Sequence, residues 1–121
     1  MHCELRTAEK TLFSGEAELV VARSPRGEFG IMNGHAPLLA ALVPAPLRVK
    51  AGGQEYRFAV SSGLLRVDKS GVTVLAQEAI PAEEVDVASV RSRIAKLADA
   101  EGTEEELAFL RVQEMIRGTG G

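Results

Sequence analysis

The amino-acid sequence predicts an all-β N-terminal domain, an antiparallel sandwich or barrel, followed by a C-terminal antiparallel α-helical hairpin. Over residues 1–80, β-branched and alternating runs recur roughly every 8–12 residues with turn residues between them, as in antiparallel sandwiches and barrels. After Pro81 the composition shifts to Ala, Glu, Arg and Leu, and apolar residues recur at steps of three and four. We therefore divide the 121 residues into domains 1–82 and 83–121.

The strand predictions rest on β-branched residues, on period-two alternation and on the turns between the runs. The predicted strands are Ala17–Arg23, Leu47–Lys50, Tyr56–Val60, Leu64–Val67 and Val72–Leu75. Two hairpin turns join four of these strands, Ala51-Gly-Gly-Gln54 and Asp68-Lys-Ser-Gly71. Both turns predict antiparallel neighbours.

The first predicted helix begins after Asp86, a residue type suited to an N-cap. Its apolar residues share one face because they lie three or four positions apart. They are Val87, Val90, Ile94, Leu97 and Ala98. Gly102 breaks the pattern, which limits this helix to a few turns.

The second predicted helix opens with a capping box formed by Thr103 and Glu106. Its apolar positions form a broad stripe: Leu107, Ala108, Phe109, Leu110, Val112, Met115 and Ile116. Gly118, Gly120 and Gly121 are predicted to end it. Because two short helices are marginal in water, the hairpin must pack on another surface.

Composition excludes several classes of protein. The net charge of −3 and the pI of about 5.4 disfavour a nucleic-acid partner, and 4% aromatic residues offer little base stacking. The longest apolar stretch, Ala36–Pro46, is too short for a membrane span. With one cysteine and no targeting segment, the sequence predicts a soluble cytoplasmic chain that is free to dock on a membrane complex.

Catalytic and metal-binding patterns are not found in the sequence. His2, Cys3 and His35 do not make a tetrahedral metal set, so we expect a frayed N-terminus and a separate loop histidine. Ser61-Ser-Gly63 lacks the nucleophile-elbow spacing, and Gly27-Glu-Phe-Gly30 lacks the features of a phosphate loop. The sequence therefore predicts no active site, no metal and no cofactor.

One segment, Pro25–Leu39, combines three glycines with a carboxylate, an imidazole and apolar side chains. One interpretation is a connection between two sheets. The other is a docking loop, in which Phe29, Ile31 and Met32 beside Glu28 and His35 suit a partner of mixed polarity. The residue pattern leaves both open.

The same segment carries a family resemblance. Gly27-Glu-Phe-Gly-Ile-Met-Asn-Gly-His-Ala-Pro-Leu-Leu39 is similar to Gly-Glu-Leu-Gly-Ile-x-Pro-Gly-His-Ala-Pro-Leu-Leu, a pattern of the epsilon subunits of bacterial F-type ATP synthases. Further matches are Leu12–Gly15, Ser62–Val67, Val72–Ala76 and Glu78–Ile80. The resemblance implies a ten-stranded β-sandwich followed by two helices, in agreement with the residue pattern.

The resemblance also implies a function without bond chemistry of its own. Members of this family belong to the central rotor, where the sandwich binds the gamma subunit and sits on the ring of membrane c-subunits. That places the chain peripherally on the cytoplasmic face of the bacterial plasma membrane. By position, the residues that resemble the docking loop are Glu28, Phe29, Gly30, Ile31, Met32, Asn33, Gly34 and His35, with Asn33 where the family has proline.

Many members of the family regulate the enzyme through the hairpin, which extends along gamma and blocks rotation in the direction of ATP hydrolysis. Five cationic side chains could then meet acidic surface on the alpha/beta catalytic head, or else form solvated helix faces: Arg91, Arg93, Lys96, Arg111 and Arg117. Some members bind ATP through Ile/Leu-Asp-x-x-Arg-Ala. Asp86 matches that motif, but Ser89 replaces its arginine, which predicts weak or absent ATP binding.

Two alternative functions remain open at this point. The first is a free-standing β-sandwich ligand-binding module with a helical lid and a pocket at residues 27–39. The second is an adaptor that presents residues 107–116 to a partner's groove. The rotor subunit is the leading hypothesis.

Overall fold

The computed structural model describes residues 1–119, which form two stacked β-sheets and two C-terminal helices. The strands are β1 (His2–Arg6), β2 (Thr11–Glu16), β3 (Leu19–Ser24), β4 (Gly27–Met32), β5 (Leu38–Leu42), β6 (Ala45–Ala51), β7 (Gln54–Val60), β8 (Gly63–Asp68), β9 (Gly71–Ala76) and β10 (Ala79–Pro81). A 3-10 turn (Ala82–Glu84) leads to α1 (Val87–Leu97) and α2 (Glu104–Thr119).

The strands form two five-stranded sheets, which confirms the predicted sandwich followed by a helical hairpin. Sheet A has the order β2-β1-β9-β8-β5, and sheet B has the order β10-β7-β6-β3-β4. Both predicted hairpin turns are present, joining β6 to β7 and β8 to β9. One pairing, between β1 and β9, is parallel, and the long stretch of chain between these two strands provides the connection that a parallel pair needs.

Both sheets contribute their inner faces to one core. The largest fully buried side chains are Leu5, Ile31, Leu47, Leu65, Val20, Val49, Val72, Val74 and Cys3. Close packing of this kind makes the sandwich resist deformation.

The N-terminus is part of this core, so the expectation that it is frayed was wrong. β1 pairs with β2 on one side and with β9 on the other, and Cys3 is fully buried. Burial raises the pKa of the Cys3 thiol to about 12, with the charge of Glu4 adding to the effect. Cys3 is therefore a neutral core side chain.

The helical hairpin has the predicted start but differs in detail further on. The carboxylate of Asp86 accepts a hydrogen bond from the backbone N–H of Ser89 at 3.2 Å, as expected of an N-cap. At the next turn, the Thr103 hydroxyl donates to the carbonyls of Leu97 and Ala100, and Glu106 pairs with Arg93. These two side chains thus connect the two helices. In the predicted capping box they would instead have bonded to the backbone at the start of α2.

The end of the second helix was predicted too early. α2 continues through Gly118 to Thr119, because one glycine costs a helix only about 1 kcal/mol. Gly120 and Gly121, the other residues predicted to end it, lie outside the described residues. No helix within residues 1–119 is long and apolar enough to cross a lipid bilayer.

The hairpin packs on the outer face of sheet B, at β7 and the 3-10 turn. A second apolar cluster joins them: Ala59, Ala82, Val85, Val90, Phe109, Leu110, Val112 and Ile116. The Ser62 hydroxyl adds a polar tie by donating to the Glu105 carboxylate. The sandwich supplies the support that two short helices need.

Candidate docking surfaces

The segment predicted as a docking loop is mostly an edge strand, which corrects the sequence interpretation. Residues 27–32 are β4, paired along their whole length with β3, and only residues 33–37 connect β4 to β5. The reason is a period-two pattern: Phe29 and Ile31 face the core, while Glu28, Gly30 and Met32 face outward. The glycines of the segment drew attention away from this alternation.

Glu28 lies on the outer face of sheet B in a three-residue charge row. The Arg48 guanidinium is 3.5 Å from the Glu28 carboxylate and 3.4 Å from that of Glu55 on β7. All three side chains are partly exposed, so each pair adds little stability. The row orients Glu28 and links the edge strand β4 to the strand under the hairpin.

His35 lies in the connection between β4 and β5. Its backbone N–H donates to the Met32 carbonyl at 3.1 Å, and its Nδ1 is 2.6 Å from the Ala36 carbonyl oxygen. Gly34 has a φ of +86°, a conformation that glycine adopts without strain. Asn33, Gly34 and the exposed Met32 thus form a compact turn at one end of the sandwich.

Glu28 and His35 border the same shallow groove without touching each other. The groove, of about 600 Å³, runs between β4 and β5, which are the edge strands of the two sheets on this side. Phe29 and Leu38 give it an apolar floor. The predicted docking residues therefore lie in two adjoining places: the turn at one end of the sandwich and the groove along the β4–β5 side.

A second surface was missed by the sequence interpretation. Leu39, Leu64 and Leu75 are 69%, 50% and 49% exposed on the outer face of sheet A. Leu64 lies opposite Leu75 on β9 and opposite Ala41 on β5, so the side chains form a continuous apolar patch across three strands. We call Leu39, Ala41, Leu64 and Leu75 the leucine patch.

Polar groups border the leucine patch on its own face of sheet A. Arg66 lies 3.3 Å from Asp68, and hydrogen bonds from Ser70 hold the pKa of Asp68 below its usual value. An exposed apolar centre with a polar border is typical of a protein–protein contact. Two adjacent apolar pairs in the sequence, Leu64-Leu65 and Val74-Leu75, could have indicated this patch. In a strand, such a pair places one apolar side chain on each face.

The predicted regulatory residues do not converge on one site. Arg91 pairs with Glu114 at 2.7 Å and Arg93 pairs with Glu106, so both brace the hairpin internally. Arg111 is exposed on α2, and Arg117 borders a cleft beside β7. Asp86 is used as a helix cap.

Two observations concern metal and ligand binding. Within residues 1–119 no three His, Cys, Asp or Glu side chains lie close enough together to hold a metal ion. A cleft of about 390 Å³ between the hairpin and the sandwich is lined by Glu78, Glu105 and Glu106 with Arg93. This excess of carboxylates disfavours an anionic ligand.

The close-packed sandwich, with an exposed apolar patch on one sheet, a helical hairpin on the other and a compact turn at one end, has the surfaces of a protein that docks to other proteins. Residues 1–82 match the family described as ATP synthase, Delta/Epsilon chain, beta-sandwich domain. The chain belongs to this family, which confirms the resemblance seen in the sequence.

Curated relatives agree with this assignment. The ATP synthase epsilon chain of Nitrobacter winogradskyi is 41% identical over 115 residues, covering 92% of this chain and 85% of its own length. The epsilon chain 1 of Methylococcus capsulatus is 44% identical over 110 residues, covering 87% and 79%.

The fold recurs in two mitochondrial ATP synthases. A chain in the Euglena gracilis assembly of OSCP, F1 and c-ring has a TM-score of 0.72 at 22% identity, covering 95% of this chain and 74% of that one. A chain of the Tetrahymena thermophila central stalk and c-ring has a TM-score of 0.71 at 14% identity, covering 96% and 95%.

Proposed function

We propose that this chain is a non-catalytic subunit of the central stalk of a bacterial F-type ATP synthase, where it couples proton flow to ATP synthesis. The observation that carries the proposal is the leucine patch on a close-packed sandwich, in a member of the ATP synthase epsilon-chain family. A rotor part must transmit force between two contacts, and a shared core between two sheets provides that stiffness.

The two surfaces take different partners in this proposal. The leucine patch binds the gamma subunit, since burying three half-exposed leucines stabilises a permanent contact. The end of the sandwich with Met32–His35, together with Glu28, meets the polar loops of the c-ring. The chain then sits peripherally on the cytoplasmic face of the plasma membrane.

A binding measurement tests this function directly. The full-length chain is expected to form a 1:1 complex with purified gamma subunit and to co-purify with the c-ring only when gamma is present. The ligand-module alternative predicts instead a small molecule retained in the groove between β4 and β5, with no affinity for gamma. That second result would overturn the proposal.

The hairpin acts as a brake in this proposal, held off the catalytic head while it rests on sheet B. Its contact with the sandwich includes an apolar cluster that contains Ala59 and a hydrogen bond from Ser62 to Glu105. Arg91 and Arg93 are paired within the hairpin, so the hairpin moves as a unit when it leaves. The exposed Arg111 then meets acidic surface on the alpha/beta head.

Replacing Ala59 by glutamate should displace the hairpin and strengthen the brake. Ala59 is fully buried and faces the helices, whereas Phe58 and Val60 beside it face the sandwich core. A carboxylate at this position would be buried without a partner, which favours the undocked state. We expect A59E to lower membrane ATP hydrolysis about threefold or more.

The control for this prediction is Ala59→Ser, which preserves the small size of the residue. Faster hydrogen exchange of the backbone amides at Ala82 and Val85, which the docked hairpin covers, verifies that the hairpin has left the sandwich in A59E. Unchanged hydrolysis in a variant whose hairpin is shown to be undocked would exclude the brake.

ATP is not a ligand of the hairpin in this proposal. Ser89 stands at the position of the family's arginine, and its backbone N–H is bonded to Asp86. With three carboxylates around the nearby cleft, a triphosphate meets repulsion rather than a bidentate partner.

A further inference from the structure

β5 is an open edge of sheet A. It pairs with β8 on one side, and its sequence Leu-Leu-Ala-Ala-Leu carries no charge and no proline. Natural sheets protect such edges with charges, prolines, bulges or a covering segment. An uncharged edge of this length is therefore suited to pairing with another strand.

The hydrogen-bond pattern identifies which residues of β5 point to the open side. The N–H of Gln77 donates to the carbonyl of Ser62, the residue opposite it. In an antiparallel pair, every second residue forms such bonds, so Leu64 and Arg66 direct their N–H and C=O groups to β9. The intervening residues of β8 bond to β5, and their opposite residues are Leu38, Ala40 and Leu42. Leu39 and Ala41 consequently direct their N–H and C=O groups away from the sheet.

The residue after β5 agrees with this pattern. Val43, two positions beyond Ala41, donates its N–H to the Arg23 carbonyl on β3 at 3.2 Å, on the side away from β8. That bond closes the seam between the sheets at one end. The open length therefore accepts a segment of about three to five residues.

The surroundings of this edge specify an occupant that is apolar on both faces. Alternate side chains of an added strand would enter the groove over Phe29 and Leu38, which has a volume of about 600 Å³. The other side chains would lie beside Leu39 and extend the leucine patch outward. A charged or proline-containing segment would not fit.

We propose that the gamma subunit contributes a short extended apolar segment that pairs with β5 as a sixth strand of sheet A. This inference rests on the proposed function, because the open edge is continuous with the leucine patch that binds gamma there. Backbone pairing along Leu39 and Ala41 sets the register of the two subunits. The leucine patch supplies affinity, and the paired edge supplies orientation under torque.

Hydrogen exchange on the full-length chain tests the pairing. In the free chain, the amides of Leu38, Ala40 and Leu42 should exchange slowly, and those of Leu39 and Ala41 quickly. Addition of purified gamma subunit should slow Leu39 and Ala41 at least about tenfold. If these two amides already exchange slowly before gamma is added, and exchange more slowly as the protein concentration rises, the edge pairs with a second copy of the chain and the proposal is overturned.

A proline substitution gives the second readout. Ala41→Pro removes an N–H that points off the sheet, leaving the β5–β8 bonds intact, and proline is tolerated at a sheet edge. We expect A41P to bind gamma about tenfold or more weakly than A41V, a variant that also enlarges this side chain but keeps the N–H. If wild type and A41P bind gamma equally, strand pairing is refuted and the proposed function stands; if wild type does not bind, both fail.

Discussion

Replacing Leu64 and Leu75 together by aspartate should lower the affinity for the gamma subunit at least about a hundredfold. The two side chains are 50% and 49% exposed and lie opposite each other in the centre of the leucine patch. The double variant loses apolar burial at both positions and places two neighbouring carboxylates in a desolvated contact. Binding of the full-length variant to immobilised gamma, measured by surface plasmon resonance, gives the ratio.

The matched control for this variant adds charge elsewhere on the same sheet. Thr11 is exposed on β2, the opposite edge strand of sheet A, so Thr11→Asp should leave gamma binding within about twofold. The double variant should keep the thermal stability of the wild type, because neither leucine faces the core. Wild-type affinity in a folded L64D/L75D protein would remove the leucine patch from the proposed interface.

Replacing Gly71 by alanine should cost about 3 kcal/mol or more of folding stability. Gly71 has a φ of +130°, and a Cβ atom there would lie 2.1 Å from the carbonyl oxygen of His2 on β1. Two effects therefore combine: a backbone conformation that side chains disfavour, and a collision with a backbone that cannot rotate away. The affected pairing holds Cys3 and Leu5 in the core.

A second glycine separates these two effects. Gly53, in the turn between β6 and β7, also has a positive φ of +79°, but a Cβ there meets open space. Gly53→Ala should cost about 1–2 kcal/mol, from strain alone. Urea denaturation of both variants gives the comparison, and equal losses would show that the contact with β1 contributes nothing.

The predicted hairpins and helices were correct because their signals are local. Gly52-Gly53 both adopt positive φ in the two-residue turn that alternating flanks predicted. Asp86 caps α1 as its position before the apolar periodicity suggested. Such features depend on a few neighbouring residues, so one sequence suffices to recognise them.

The errors occur where partners distant in sequence decide the conformation. β4 was interpreted as a loop because its glycines resemble turn residues, yet pairing with β3 satisfies its backbone. The N-terminus was expected to fray, although β9 holds β1 from about seventy residues away. Neither pairing leaves a signal within its own segment.

The amino-acid order of this chain is sufficient to establish its fold class, its helical hairpin and its family, because periodicity, caps and turns are encoded by near neighbours. Tertiary structure alone decided which apolar residues remain at the surface. Leu64 and Leu65 are identical side chains in adjacent positions, but the pleat sends one into the core and the other outward. The leucine patch and the open edge of β5 arise because β5, β8 and β9, which carry Leu39, Leu64 and Leu75, are neighbours in one sheet, a strand order that no local pattern contains.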